Sequence, residues 1–502
     1  MSMLAPQAAI TPAEREKGLR LLVSEAALSG GAAALTSGVI LTAFALHLGA
    51  SNIMVGVLAS APFLAQLLQL PAIVLIERVR ARKRIAVITS LIGRAMLAVM
   101  AFTAFLSGTL PLIAFLIAQV VLCSMGAVGA CAWNAWMRDL APEERLGQVF
   151  AKRTLLLTAI SLILGLAAAG ALDWTEPGSF ARDLVFAGMF ALGCITGLIS
   201  ARVVAAMPEP AMPPASGSIK LGELLREPLR DPNFSRLLLF VGSWQFAVNF
   251  ATPFFTVFIV RQLRFDVSFV MVLSVASQIA NILAIRMWGN LSDRFANKPV
   301  LAVCGPVYIL AIVAMIGASQ FEWRELVKLW LIGLHLIMGA AIAGVTLAST
   351  NIALKLSPKG SATAYVAASA MATAVAAGVA PILGGLLADF FGARRFELIA
   401  RWSSPSGVYA LPLVLRQWDF YFLIAGVIGL YAIHRLSLVE ERGDIEPREM
   451  VNQVIGETRR TIRNISTVAG LRAATDLPGS LLRDARVRGR FRRRQAGLNP
   501  VK

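Results

Sequence analysis

The sequence predicts an all-α polytopic membrane protein with twelve transmembrane helices in two six-helix bundles. Three observations lead there. Only 15% of the 502 residues are charged and 57% are hydrophobic, whereas a soluble chain carries nearer a quarter charged. Apolar stretches of about twenty residues recur along the chain, each long enough to cross a bilayer as a helix. A Pro-rich linker near the middle divides these stretches six and six.

In chain order the expected spans are 23–48, 53–76, 85–106, 110–135, 154–173, 183–204, 235–260, 267–288, 299–318, 328–351, 362–390 and 419–438. Helices are the expected form, because backbone exposed to lipid must satisfy its own hydrogen bonds. The expected organisation is an N-terminal segment 1–22, a first bundle 23–204, a linker 205–233, a second bundle 234–438 and a basic tail 439–502. The opening "MSMLAPQAAITPAEREKGLR" lacks the basic-then-apolar order of a cleaved signal peptide. Span 1 is therefore expected to act as the insertion signal and to be retained. Cys123, Cys131, Cys194 and Cys304 all lie in apolar runs and read as small hydrophobes rather than a disulfide framework.

An even number of spans puts both ends of the bundle on one side. The connections after even-numbered spans, counted with their flanking helix ends, hold nineteen Lys and Arg; those after odd-numbered spans hold nine. The excess marks the cytoplasmic side. The expectation is an integral protein of a bacterial inner membrane with both termini in the cytoplasm.

The linker "MPEPAMPPASGSIKLGELLREPLRDPNF" begins Pro-rich and becomes amphipathic at Leu221, Leu224, Leu225 and Leu229. A divided chain invites a search for duplication. A shift of 216 carries Glu77–Arg78 to Asp293–Arg294, Pro142 to Pro358 and Asp173 to Asp389, each at a topologically equivalent place. One offset matching three landmarks in order indicates a repeated six-helix unit.

"GNLSDRFANKP", residues 289–299, is a charged turn between spans 8 and 9. Its charges cannot be drawn into lipid. It resembles the loop signature of the major facilitator superfamily, Gly-x-Leu-Ala-Asp-Arg-x-Gly-Arg-Lys, through Gly289, Leu291, Asp293, Arg294 and Lys298, with Ala296 and Asn297 departing from it. "LIERVRARKR" is a degraded first copy in which Glu77 and Arg78 fill the Asp-Arg places. "LGASNIMVGVL", "PLRDPNFSRLLLF" and "GVAPILGGLLADFFG" are similar to other segments of that superfamily, and the resemblance covers about residues 20–438. "ILGLAAAGAL" in span 5 lacks the proline of the drug/proton antiporters. The resemblance implies a conformational latch built on Gly289, Asp293, Arg294, Lys298, Glu77 and Arg78. It also implies a central cavity lined by spans 1, 4, 7 and 10. The plainer alternative is that these charges only fix topology.

Polar residues at helical spacing mark where a solute would sit. In span 7, Gln245, Asn249, Thr252 and Thr256 form one stripe, interrupted by Pro253, which permits a kink. Glu25, Ser29 and Thr36 share a face of span 1; His335, Thr346 and Ser349 share one of span 10; Gln119 and Asn134 lie toward opposite ends of span 4. Such stripes either line a cavity or bond across packed helices. The Ser274–Gln278–Asn281 stripe of span 8 reads as packing. Arg94, deep in span 3, needs a carboxylate, carbonyls or a substrate anion. Trp133 and Trp136 read as interfacial belt residues.

The expected function is a secondary or facilitative transporter moving a small neutral or amphipathic solute by alternating access, with a proton as a possible coupling ion. The alternative is a transporter-like receptor or lipid-handling protein without flux. No Gly-x-x-x-x-Gly-Lys-Ser/Thr loop occurs, so no ATP-driven pumping is expected. Three scattered histidines offer neither a metal site nor an enzyme centre, and no cofactor is expected. The +18 net charge comes without a nucleic-acid-binding signature. The tail sequence "RDARVRGRFRRRQ", with Met450, Val454 and Ile462 near one helical face, is expected to lie on anionic lipid. A monomer is expected.

Overall fold

The computed structural model describes residues 4–7, 9–212, 221–358, 362–404, 407–441, 450, 451, 453, 454 and 456. Twelve helices among them are long and apolar enough to cross a membrane. Spans 1–6 are Pro12–His47, Asn52–Val79, Arg82–Thr103, Thr109–Leu140, Glu144–Asp173 and Phe180–Ala205. Spans 7–12 are Pro232–Gln262, Val267–Phe295, Asn297–Ser319, Arg324–Lys355, Ala364–Phe391 and Gln417–Ser437. Bulky apolar side chains such as Leu110, Leu283, Leu310 and Val427 point outward on this belt, as lipid contact requires.

Several helices run further than apolar length alone indicates. Span 1 begins at a capping box, where Thr11 accepts from the Glu14 backbone N–H and Glu14 answers; paired caps of this kind anchor a helix start. Span 4 continues to Leu140 and span 5 starts again by Glu144. Arg138, Arg145, Lys152 and Arg153, read from sequence as loop cations, are therefore helical. The charged turn after span 8 shrinks likewise. Its helix runs through Phe295, Ala296 alone makes the turn at φ 76°, and Asn297 opens span 9.

Spans 1 and 7 are both broken. Span 1 interrupts at Ser37, with Gly38 at φ 58°. Span 7 breaks at Thr252–Pro253 and finishes in one π turn. Thr36 and Thr252, separated by the repeat offset of 216, sit at the two breaks. Each hydroxyl donates back to the carbonyl four residues earlier, Ala32 and Val248, at 2.7 Å.

At the terminal face, the segment after span 6 is tied down. Gln7 pairs with it through its N–H to Glu209 O at 2.8 Å, returned by Ala211 N–H to Gln7 O. Trp136, expected at the lipid interface, is fully buried and donates to Pro208 O at 3.0 Å. An antiparallel hairpin, Phe396–Ser404 with Gly407–Leu415, stands between spans 11 and 12. Its short apolar runs on each side of a polar turn could have signalled it. The amphipathic linker segment forms a helix, Leu221–Arg230. Residues 213–220 of the linker and nearly all of the basic tail, including Ile462 and the arginine cluster, lie outside the described residues.

Candidate functional site

A cavity of about 1050 Å³ lies between the two bundles. From span 1 it is lined by Glu25, Ser29 and Thr36, and from span 7 by Asn249, Thr252 and Thr256. His335 of span 10, Arg94 of span 3, and Gln119 and Asn134 of span 4 complete much of its polar wall. The breaks in spans 1 and 7 face it through Ser37, Gly38 and Pro253. Gln245 is not in the wall. Its carbonyl and side-chain oxygens accept from Asn249 Nδ2 at 2.8 and 3.2 Å. Thr346 and Ser349 are outside it too, whereas Ser274 of span 8 is inside.

Glu25 lies thirteen residues beyond the helix start at Pro12, about 20 Å along the axis at ~1.5 Å per residue. It is 5% exposed. Its carboxylate accepts from Arg153 at 3.3 Å and from Ser200 Oγ at 2.9 Å. Arg153 also stacks over the Trp133 ring at 4.7 Å, a favourable cation–π geometry. Sequence reasoning missed Arg153 because it placed span 5 ten residues late. The available signal was the helix-compatible run from Glu143 onward. His335 Nδ1 meets Leu331 O at 2.8 Å. A carbonyl can only accept, so Nδ1 carries hydrogen and Nε2 is left for the cavity. Arg94 makes no hydrogen bond or ion pair among the described residues.

Among the described residues, the bonds between the bundles lie at the end away from the termini. Asp173, ending span 5, accepts from Val267 N and Ser268 N at 3.1 Å each, at the start of span 8. Asp389, ending span 11, accepts from Asn52 N, Asn52 Nδ2 and Ile53 N at 3.2, 2.8 and 3.0 Å, at the start of span 2. A helix start has unsatisfied N–H groups and a positive dipole end, so a carboxylate there is favoured. The two caps are related by the same 216 offset as the sequence repeat. Arg261 adds a bond to Ala50 O at 2.7 Å. Among the described residues no other hydrogen bond joins spans 1–6 to spans 7–12.

At the terminal face each bundle closes on itself. Glu209, fully buried, accepts from Arg82 N at 2.6 Å, while Arg82 Nη1 reaches Asp139 at 2.5 Å. In the second bundle Glu441 accepts from Asn297 N, Lys298 N and Lys355 Nζ at 2.9, 2.7 and 3.0 Å. In each bundle an acid following the sixth helix thus caps the start of the third. The motif residues sit beside these networks. Asp293, Glu77 and Arg78 are exposed and make no hydrogen bond or ion pair among the described residues. Arg294 lies over Phe295 at 4.8 Å, and at Gly289 an added Cβ would meet only Leu347, at 3.9 Å. Among the described residues no His, Cys, Asp and Glu group could hold a metal.

The family profile described as Major Facilitator Superfamily matches residues 25–321 and 245–475. No curated protein sequence matches the chain. Among solved structures, a point mutant of the nucleoside transporter NupG is similar at TM-score 0.62 and 12% identity, over 84% of this chain and 100% of its own. A D-xylose-proton symporter aligns at TM-score 0.62 and 14% identity, over 86% and 99%. A bacterial homologue of the lysosomal transporter Spinster, inward-facing and occupied, aligns at 0.60 and 15%, over 87% and 100%. At these identities the likeness is one of fold.

Proposed function

The chain belongs to the major facilitator superfamily, and on that premise we propose that it is a secondary or facilitative transporter moving a small solute by alternating access. The observation that carries this reading is the pair of breaks in spans 1 and 7, both lining the cavity at repeat-related Thr36 and Thr252. Discontinuous helices at a repeat interface are where transporters place substrate. Glu25, Ser29, Thr36, Asn249, Thr252, Thr256 and His335 form the binding wall, and Gln245 supports it by holding Asn249.

The conformation has its inter-bundle bonds on the far side and its cavity running toward the terminal face. We read it as open to the side of the termini, which the basic asymmetry assigns to the cytoplasm of a bacterial inner membrane. In the opposite state the caps at Asp173 and Asp389 release. The Asp293–Arg294–Lys298 and Glu77–Arg78 turns then engage the facing bundle as the latch. A proton is the proposed coupling ion, with Glu25 and His335 as its carriers. The basic tail is assigned to anionic lipid on charge alone, and the working unit to a monomer.

Thermal-shift screening of purified protein against metabolite and drug libraries, followed by proteoliposome uptake of each stabilising compound, tests the reading. Uptake that saturates and is lost in Asn249→Ala is expected. Binding without flux for every stabilising compound would instead identify a receptor.

A further inference from the structure

We propose that the solute is an amphipathic organic monoanion whose carboxylate is taken by Arg94; this rests on the transport reading above. Arg94 stands twelve residues into span 3, about 18 Å from its start at ~1.5 Å per residue. An arginine at that depth persists when it faces a wet cavity or an anion. The chain makes room for it. A Cβ at Gly197 of span 6 would lie 2.6 Å from Arg94 Cδ and 3.1 Å from Nε, so a bare glycine forms the groove that holds the arginine stem. The guanidinium then reaches the cavity with no hydrogen-bond or ion-pair partner among the described residues; Glu25 acts on its charge only through space.

The charges around it leave a positive excess, because Glu25 is shared between two arginines. Glu25 is the one carboxylate among the described lining residues, and Arg153 and Ser200 already hold it. Two arginines against one carboxylate give a formal excess of one positive charge. The field therefore repels a cation and favours a monoanion. A guanidinium fork also matches a carboxylate in two parallel bonds.

A second orphan sits on the neighbouring helix. Gln119 Oε1 is buried with no hydrogen-bond partner, its Nε2 turned to Cys123 Sγ at 3.3 Å. Spans 3 and 4 lie side by side at this level, since a Cβ on Gly93 would meet Leu122 and Met125 at 3.4 Å. A buried acceptor without a donor is costly, and a hydroxyl or N–H on the solute would satisfy it. Much of the remaining wall is apolar, including Leu58, Phe63 and Ile342, which suits a hydrophobic body.

Cys123 lines the same cavity and supplies a native probe. In a chain whose other three cysteines are replaced by alanine, the test compares labelling of Cys123 by an anionic sulfonatoethyl and a cationic trimethylammonioethyl methanethiosulfonate. Each rate is divided by that reagent's rate with a free thiol, which removes the reagents' own difference, and the ratio of the two cancels the reactivity of the Cys123 thiol. The anionic reagent should be favoured at least fivefold. The preference should fall to near one in Arg94→Gln and persist in Arg94→Lys. 2-Naphthoate should slow labelling in the parent and not in Arg94→Gln, while 2-naphthamide should slow neither. Equal reagent preference in parent and Arg94→Gln, or no protection by 2-naphthoate, overturns the anion assignment and leaves the water-filled cavity standing. Silence of Cys123 toward both reagents removes the cavity reading itself, and the anion with it.

Discussion

Replacing both far-side caps, Asp173→Asn with Asp389→Asn, should shift the conformational balance toward opening on that side. Asp389 accepts three hydrogen bonds from the start of span 2, and Asp173 accepts two from the start of span 8. Asparagine keeps an acceptor oxygen and loses the charge. A charge at a helix start is worth about 0.3–1 kcal/mol, more when partly buried. Asp389 is exposed and Asp173 half-buried, so solvent screening keeps each below the partly buried values; about 1 kcal/mol per site, the upper end of the surface range, is a fair figure. The caps belong to different helix pairs, so their effects should add. About 2 kcal/mol is roughly a thirtyfold change in the ratio of far-side-closed to far-side-open molecules. Spin labels at Glu176 and Glu322, both exposed in far-side loops, would report it by pulsed dipolar spectroscopy. The parent should show one short distance, and the double variant should gain a longer population. An unchanged distribution with intact folding refutes the idea that these acids hold the bundles together.

Three further outcomes are expected. Gly385→Val should lower the melting temperature in detergent and weaken far-side closure, because a Cβ there would lie 2.5 Å from Asn52 O and overpacking costs about 1–3 kcal/mol; an unaltered melting curve speaks against this close crossing of spans 2 and 11. Arg82→Ala should destabilise by roughly 3 kcal/mol, since it breaks the ion pair to fully buried Glu209 and leaves it only Lys83 nearby among the described residues, and breaking a buried pair is costly. Trypsin resistance of the terminal face would fall with it, and unchanged resistance would count against the capping role. Asp293→Asn should slow uptake and change bundle-to-bundle cross-linking while membrane insertion stays intact; normal uptake with unchanged cross-linking removes the latch.

The fold was legible because hydrophobic length reports bilayer crossing directly. Twelve spans follow from it, and the Pro-rich linker divides them six and six. Helix ends were less legible, since a helix projecting beyond the apolar run loses its hydropathy signal while keeping its hydrogen bonds. That is how Arg153 came to be read as a loop residue and its contact with Glu25 was missed. The span 7 stripe was visible in its spacing, yet spacing cannot tell a wall residue such as Asn249 from its supporter Gln245. The repeat offset pointed to Asp173 and Asp389 as equivalent; their role as caps on the facing bundle required knowing which helix starts lie opposite. The break at Gly38 carries a local signal, glycine amid an apolar run, but a glycine inside such a run equally serves close packing.

The most direct measurement uses a single cysteine at Asn249 in a chain lacking its native cysteines, reconstituted in one orientation and labelled with a membrane-impermeant maleimide from either side. Asn249 lines the cavity, and every described bond between the bundles lies on the far side. Labelling should be fast from the terminal face and slow from the far face, and the double replacement of Asp173 and Asp389 should raise the far-face rate. A cysteine that stays silent from the terminal face, or reacts only from the far face, would contradict a solute cavity that opens toward the termini.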